Sequence, residues 1–159
     1  MDSVNSSSST MFGETFIKLS GNNVQGCIGC GGCFKSKDKK CVFKNDIVNE
    51  CIKKMIETDG IILGSPVYFA DISANMKALL ERIGMVSKAN DNLFKYKAGS
   101  AVITVRRGGA IHAFDTLNYF LHSTQMYSVG GTYWNMVYGN WVFNIHQSKV
   151  KVSSSLFAL

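Results

Sequence analysis

No run of this sequence approaches the ~20 consecutive apolar residues of a membrane span. Its opening, MDSVNSSSSTM from Met1 to Met11, joins no basic start to an apolar stretch, so a secretory leader is not expected and the sequence predicts an intracellular, cytoplasmic protein. No helix carries a basic stripe interleaved with aromatics, so nucleic acid is not an expected partner. No segment pairs a basic face with a large apolar one, which argues against a membrane surface. No internal repeat is visible. At 159 residues the chain is too short for two ordinary domains, yet with 46% apolar side chains it is long enough to bury one core. The net charge of +6, from 17 basic against 11 acidic residues, is local: Lys35, Lys37, Lys39, Lys40 and Lys44 crowd into one stretch.

Residues 1–11 are polar, serine-rich and aperiodic, and read as a disordered tail. Thr15 to Leu19 alternates as a short strand closed by Gly21-Asn22-Asn23. Asn45 or Asp46 can cap a helix whose apolar positions Ile47, Cys51, Met55 and Ile56 recur at helical spacing until Asp59-Gly60. Ile61-Ile62-Leu63 is a short apolar run that suits a buried parallel strand emptying into a functional loop at Gly64-Ser65-Pro66. Asp71 can cap a second helix, with Ile72, Met76, Leu79, Leu80 and Ile83 on one face and Gly84 near its end. Ala101 to Val105 reads as another buried strand, Ala110, Phe114, Leu117 and Leu121 as a third helix, and Thr132 to Tyr138 as a strand closed by Gly139. Strands alternating with helices across short loops predict an α/β fold with a parallel sheet covered on both faces.

Four of the five cysteines lie within fifteen residues, CIGCGGCFKSKDKKC from Cys27 to Cys41. A reducing compartment argues against structural disulfides, and an odd count leaves one thiol unpaired. Cys27, Cys30 and Cys33 are spaced C-x2-C-x2-C, with Cys41 after seven more residues. Zinc knuckles usually join two C-x2-C pairs across a longer loop, whereas three thiolates in one tight wrap suit the neighbouring corners of a [4Fe–4S] cubane. Zinc, free thiols and redox disulfides remain alternatives. Val42 after the fourth cysteine departs from the bacterial ferredoxin run. Gly26, Gly29, Gly31 and Gly32 let the backbone turn close to the cysteines, and the lysines either tune a negative cluster or line a solvated loop. Cys51, on an apolar helical stripe, reads as a buried core thiol.

Gly64-Ser65-Pro66-Val67-Tyr68-Phe69, followed by Ile72-Ser73-Ala74-Asn75-Met76-Lys77-Ala78-Leu79 and preceded by the cysteine motif, resembles the iron–sulfur flavoproteins, a branch of the NADPH-dependent FMN reductases. The resemblance covers roughly residues 15–139 and includes Arg106-Arg107-Gly108-Gly109 and Gly131 to Asn135. It implies a flavodoxin-like three-layer α/β/α sandwich with a parallel sheet. It implies FMN held by Ser65, Pro66, Val67, Tyr68, Phe69, Arg107, Gly108 and Gly109, a [4Fe–4S] cluster on Cys27, Cys30, Cys33 and Cys41, and NAD(P)H as reductant. The activity it implies is hydride transfer to FMN, then single electrons through the cluster to an unnamed acceptor, in a homodimer or tetramer that brings one subunit's cluster near another's flavin. By themselves Tyr68 and Phe69 read as packing aromatics, and His112 and His122 as surface or helix residues.

Members of that family open with a hydrophobic strand, a Ser/Thr-rich loop that grips the flavin phosphate, and a helix, and end on a covering helix. Here Thr15 to Leu19 aligns with their second strand, and residues 141–159 read WVFNIHQSKVKVSSSLFAL. The expectation is therefore an incomplete fold, with the first strand and last helix missing: a tail at 1–11, a flavodoxin-like domain at 12–140 containing the cysteine segment 27–41, and an atypical C-terminal tail at 141–159. A gap is expected in mid-sheet unless strands two and three pair directly or another chain fills it. The alternative function is a non-enzymatic module that binds a cluster or zinc and no flavin.

Overall fold

The computed structural model describes residues 10–11, 14–131 and 156–158. Its strands are β1 (Thr10–Met11), β2 (Glu14–Phe16), β3 (Gly60–Phe69), β4 (Asp71–Ile72), β5 (Ala98–Thr104), β6 (Tyr127–Ser128) and β7 (Leu156–Ala158). Its helices are α1 (Gly32–Ser36), α2 (Val48–Glu57), α3 (Ala74–Ala89) and α4 (Ala110–Ser123). The sheet runs β1-β2-β7-β3-β5-β6, with β4 hairpinned onto β3. From β2 to β6 every pairing is parallel. Without β1 this order matches the flavodoxin pattern 2-1-3-4-5 place for place.

The expected mid-sheet gap is not there. Leu156–Ala158 fills it, Thr15 pairing with Phe157 on one side and Gly60 with Leu156 on the other. The central place thus belongs to residues of this chain that read as a tail. The expected strand at Thr132–Tyr138 lies outside the described residues.

Successive strands β2, β3, β5 and β6 step across the sheet in one direction. Right-handed crossovers then place α2, α3 and α4 on the same face, and α3 touches both α2 and α4. The core lies under that layer: Ile61 and Leu63 of β3 meet Cys51 and Met55 of α2, Leu79 and Ile83 of α3, and Leu117 and Leu121 of α4. On β3 the pattern alternates, with Ile61, Leu63 and Ser65 buried and Ile62, Gly64 and Pro66 half-buried. Among the described residues little covers the face opposite the helices, where Phe16 is 46% and Val102 49% exposed. Among the described residues one helical layer, not two, packs on the sheet.

Several boundaries differ from expectation for identifiable reasons. β2 ends at Phe16, because β7 offers partners only to Thr15 and Phe16; Ile17 and Leu19 are buried without pairing. β3 runs on through Gly64-Ser65-Pro66, because a seven-residue register from Gly60↔Ala98 to Pro66↔Thr104 holds it to β5. β7 reaches only Ile62, so Pro66 has a single ladder neighbour, where a missing N–H is tolerated. β5 is not fully buried, since Val102 faces the thinly covered side. Asp71 is drawn into the β4 hairpin opposite Phe69, so Ser73 caps α3 instead, its Oγ accepting the Met76 N–H at 3.3 Å. α3 continues past Gly84 because Val86 and Ala89 extend its buried stripe. In α4 the buried face is Ala113, Leu117, Phe120 and Leu121, and Phe114 points outward. At α2, Asp46 Oδ1 accepts the Val48 N–H at 3.2 Å. No helix among the described residues is long and apolar enough to cross a membrane.

Leu63 is fully buried, so Leu63→Ala is expected to lower unfolding free energy by ~2–5 kcal/mol. Val102→Ala, on the thinly covered face, is expected to cost less than about 1 kcal/mol. Urea titration of the two variants checks the asymmetry.

Candidate functional site

Two candidate regions emerge, at opposite ends of α3. The first is a hollow lined by all four clustered cysteines, Cys27, Cys30, Cys33 and Cys41, together with Arg82, Met85 and Val86 of α3. Left-handed turns at Gly29 and Gly31, φ 66° and 67°, fold the cysteine loop. Gly32 has a different reason, for a Cβ there would come within 2.4 Å of Val42 Cγ1. Cys33 rides on the single-turn helix α1, which has no buried residue of its own.

The segment that carries Cys41 is held by side chains from both neighbouring helices. On α2, Asn49 Oδ1 accepts the Cys41 N–H at 2.8 Å, while its Nδ2 donates to the carbonyls of Cys41 at 3.0 Å and Phe43 at 2.8 Å. On α3, Arg82 is 1% exposed. Its Nε donates to Cys41 Sγ at 3.3 Å, Nη1 to the Gln25 carbonyl at 3.3 Å and to Asp46 Oδ2, and Nη2 to the Phe43 carbonyl at 3.2 Å. The Phe43 ring lies 5.4 Å from the guanidinium carbon, in cation–π range. Burial opposes the Arg82 charge, but the bonds to Asp46 and Cys41 outweigh it and hold the pKa above its ordinary value. Lys35, Lys37, Lys39, Lys40 and Lys44 are all exposed and none lines the hollow, so among the described residues Arg82 is the cation at the thiols. Neither Arg82 nor Asn49 was legible as a site residue, because their partners lie up to 57 positions away.

Burial pushes the Cys33 thiol up, backbone N–H groups of Cys33 and Phe34 pull it down, and neighbouring Cys41 and Cys27 push it up again; the net shift is upward. Cys51 is outside the hollow, in the core, and burial pushes it up to about 12. Four soft sulfur donors suit zinc or an iron–sulfur cluster. A closed zinc site would hold its sulfurs about 2.3 Å from one ion and so about 3.8 Å apart. Among the described residues no group of three or more Cys, His, Asp or Glu side chains is arranged to hold a metal ion. A cubane takes one thiolate at each iron corner, and the four thiols line one hollow.

The second region lies off the carboxyl ends of β3 and β5, where open α/β sheets bind ligands. Ser65 is buried; its Oγ accepts the Ser73 N–H at 2.9 Å and donates to the Pro66 carbonyl at 3.0 Å, tying the strand to the start of α3. Val67 pairs with Ile72 across the hairpin, and Tyr68 and Phe69 project from it, 81% and 93% exposed. The other segment, Arg107-Gly108-Gly109, opens α4, with Gly109 at its N-cap in a left-handed turn, φ 93°. The two loops touch there: a Cβ on Gly109 would stand 3.1 Å from Val67 Cγ1 and 3.2 Å from the Ala70 carbonyl oxygen. All eight residues expected at a flavin are thus brought to one end of the sheet, Ser65 with its hydroxyl spent internally. Behind them Asp71 accepts from the Ile72 N–H at 2.7 Å and the Thr116 hydroxyl at 2.9 Å, with His112 Nε2 3.5 Å from its second oxygen. From Ser73 to Arg82, the nearest α3 residue that lines the hollow, the helix runs nine residues, roughly 14 Å of rise.

A parallel sheet in flavodoxin order, with paired loops off its carboxyl end, defines a flavodoxin-like α/β protein. The chain belongs to the NADPH-dependent FMN reductase family, whose model matches residues 14–140. An iron–sulfur flavoprotein of Methanocaldococcus jannaschii is 37% identical over 115 residues, 72% of this chain and 58% of that protein. A second from the same organism is 29% identical over 118 residues, 73% and 59%. One from Methanosarcina thermophila is 31% identical over 127 residues, 75% and 64%. The chain therefore spans between 58 and 64% of the length of these relatives.

At pH 8 a thiol with a pKa near 12 is ionised in about one molecule in ten thousand. Iodoacetamide added to the native, metal-free, reduced protein is expected to modify exposed Cys30 readily and to leave Cys51 untouched until the chain is unfolded. Peptide mass mapping before and after denaturation reads the difference.

Proposed function

We propose that this chain is an FMN-dependent NAD(P)H oxidoreductase that passes single electrons through a [4Fe–4S] cluster to an acceptor. The observation that carries it is the gathering of Cys27, Cys30, Cys33 and Cys41 around one hollow, in a chain of the FMN reductase family. Those cysteines are the proposed cluster ligands. Bound FMN would take a hydride from the nicotinamide and release electrons one at a time, and the cluster would conduct them.

The protein's own part is to hold and shield. Ser65 and Pro66 would stiffen the floor of a flavin site, and backbone N–H groups of residues 67–69 and 107–109 would be the donors available to the ring edge. Tyr68 or Phe69, both exposed, would cover a ring face, a use that ordinary packing does not explain. Glycine at 109 keeps the cradle open, since any side chain there would strike Val67 and Ala70. By the family resemblance, transfer between flavin and cluster is proposed to run between subunits of a homo-oligomer.

One observation favours a second reading. The central strand place is held by Leu156–Ala158, and no helix among the described residues opens from a Ser/Thr-rich loop. A flavin phosphate needs hydroxyls presented with backbone N–H groups at a helix N-terminus. A cluster-binding module without flavin would satisfy that observation.

Anaerobic purification followed by iron, sulfide, zinc and FMN analysis separates the two. Iron and sulfide near four each per chain with bound FMN are expected. Cys30→Ser is expected to cut iron content by more than half and leave FMN in place. Iron without FMN would overturn the oxidoreductase reading, and zinc near one per chain would overturn the cluster.

A further inference from the structure

We propose that Arg82 sets the reduction potential of the cluster through its Nε–H bond to Cys41 Sγ; this rests on the cluster reading above. Among the described residues Arg82 is the one cation lining the hollow; it is shut from water, and its Nε lies 3.3 Å from that sulfur. One-electron reduction adds a negative charge to the thiolate-ligated cluster. A hydrogen bond and a buried positive charge at a ligand sulfur favour the more negative state, and they raise the potential. Arg82 keeps its proton throughout, so the step moves one electron, supplied by a chemical reductant or a flavin, and no proton at this residue.

Asp46 gives the device its second half. Its carboxylate, 7% exposed, pairs with Arg82 on the side away from Cys41. It offsets part of the guanidinium's field and fixes the fork in the orientation that leaves Nε facing sulfur. Arginine suits this where lysine would not, because a planar fork can meet a sulfur, a carboxylate and two carbonyls at once. The exposed lysines of the same loop sit in water, where their charges are screened.

The two partners therefore act on the potential with opposite signs, which a purely structural role would not produce. The test uses the full chain, loaded anaerobically with ferrous iron and sulfide, and a redox titration with dithionite followed by visible absorption and electron paramagnetic resonance. Arg82→Gln is expected to lower the ratio of reduced to oxidised cluster at a given applied potential by three- to tenfold, tenfold being 59 mV for one electron. Arg82→Lys is expected to fall between it and the parent. Asp46→Asn is expected to move the other way, raising the fraction reduced. Should Arg82→Gln fail to retain iron, Asp46→Asn decides, and a potential unmoved or lowered in it overturns the inference. Arg82→Gln and Arg82→Lys both at the parent potential with full iron would overturn it equally. A parent chain that takes up no iron or sulfide would overturn the cluster reading and this inference with it, whereas uptake with unmoved potentials overturns the inference alone.

Discussion

A guanidinium removed from water must find partners for all its N–H donors, and at Arg82 those partners are what organise the cysteine segment. One side chain of α3 reaches the Gln25 carbonyl before the first cysteine, Cys41 Sγ and the Phe43 carbonyl at the last, and Asp46 at the start of α2. Between those points the chain has almost no core of its own, since α1 buries nothing. A polar hub does there what apolar packing does elsewhere. Breaking one side of such a pair costs about 3–5 kcal/mol, a large share of the ~5–15 kcal/mol that a domain has. Asn49 adds a second clamp on the same loop from α2, so geometry at Cys41 is held from two helices.

The sheet imposes the other constraint. Its crossovers proceed in one direction, so the helices gather on one side and the core lies there. Ligand-type loops leave the carboxyl ends of β3 and β5 and meet at Gly109, while the cysteine hollow grows from the far end of α3. Separation of the two regions within one chain follows from the length of that helix.

Much of this was readable in advance. The C-x2-C-x2-C spacing pointed to one metal-type nest, and apolar periodicity located α2, α3 and α4 and the buried thiol Cys51. Val67 and Gly109 were recognisable as members of one site only by resemblance; their contact joins residues 42 positions apart. Arg82 was hidden because a charged residue inside a helical stripe reads as an outward position, and its bonds to sulfur and carboxylate exist only once α3 has docked. The lysines looked like the better cations because they are near in sequence. They face water in space. Asp71 looked like the cap of α3 until the hairpin pairing of Phe69 with Asp71 claimed it.

By itself the sequence determined the kind of fold, the helices that cover the sheet, and the set of four thiols, because periodicity and close spacing are local properties of a chain. Tertiary structure decided which strand holds the middle of the sheet and which cation meets the thiols. Leu156–Ala158 lies between β2 and β3 and Arg82 lies against Cys41, and both pairings depend on chain segments far apart in sequence. Backbone ladders and buried charges take whichever partner the packed chain brings within reach, and no local pattern records that choice.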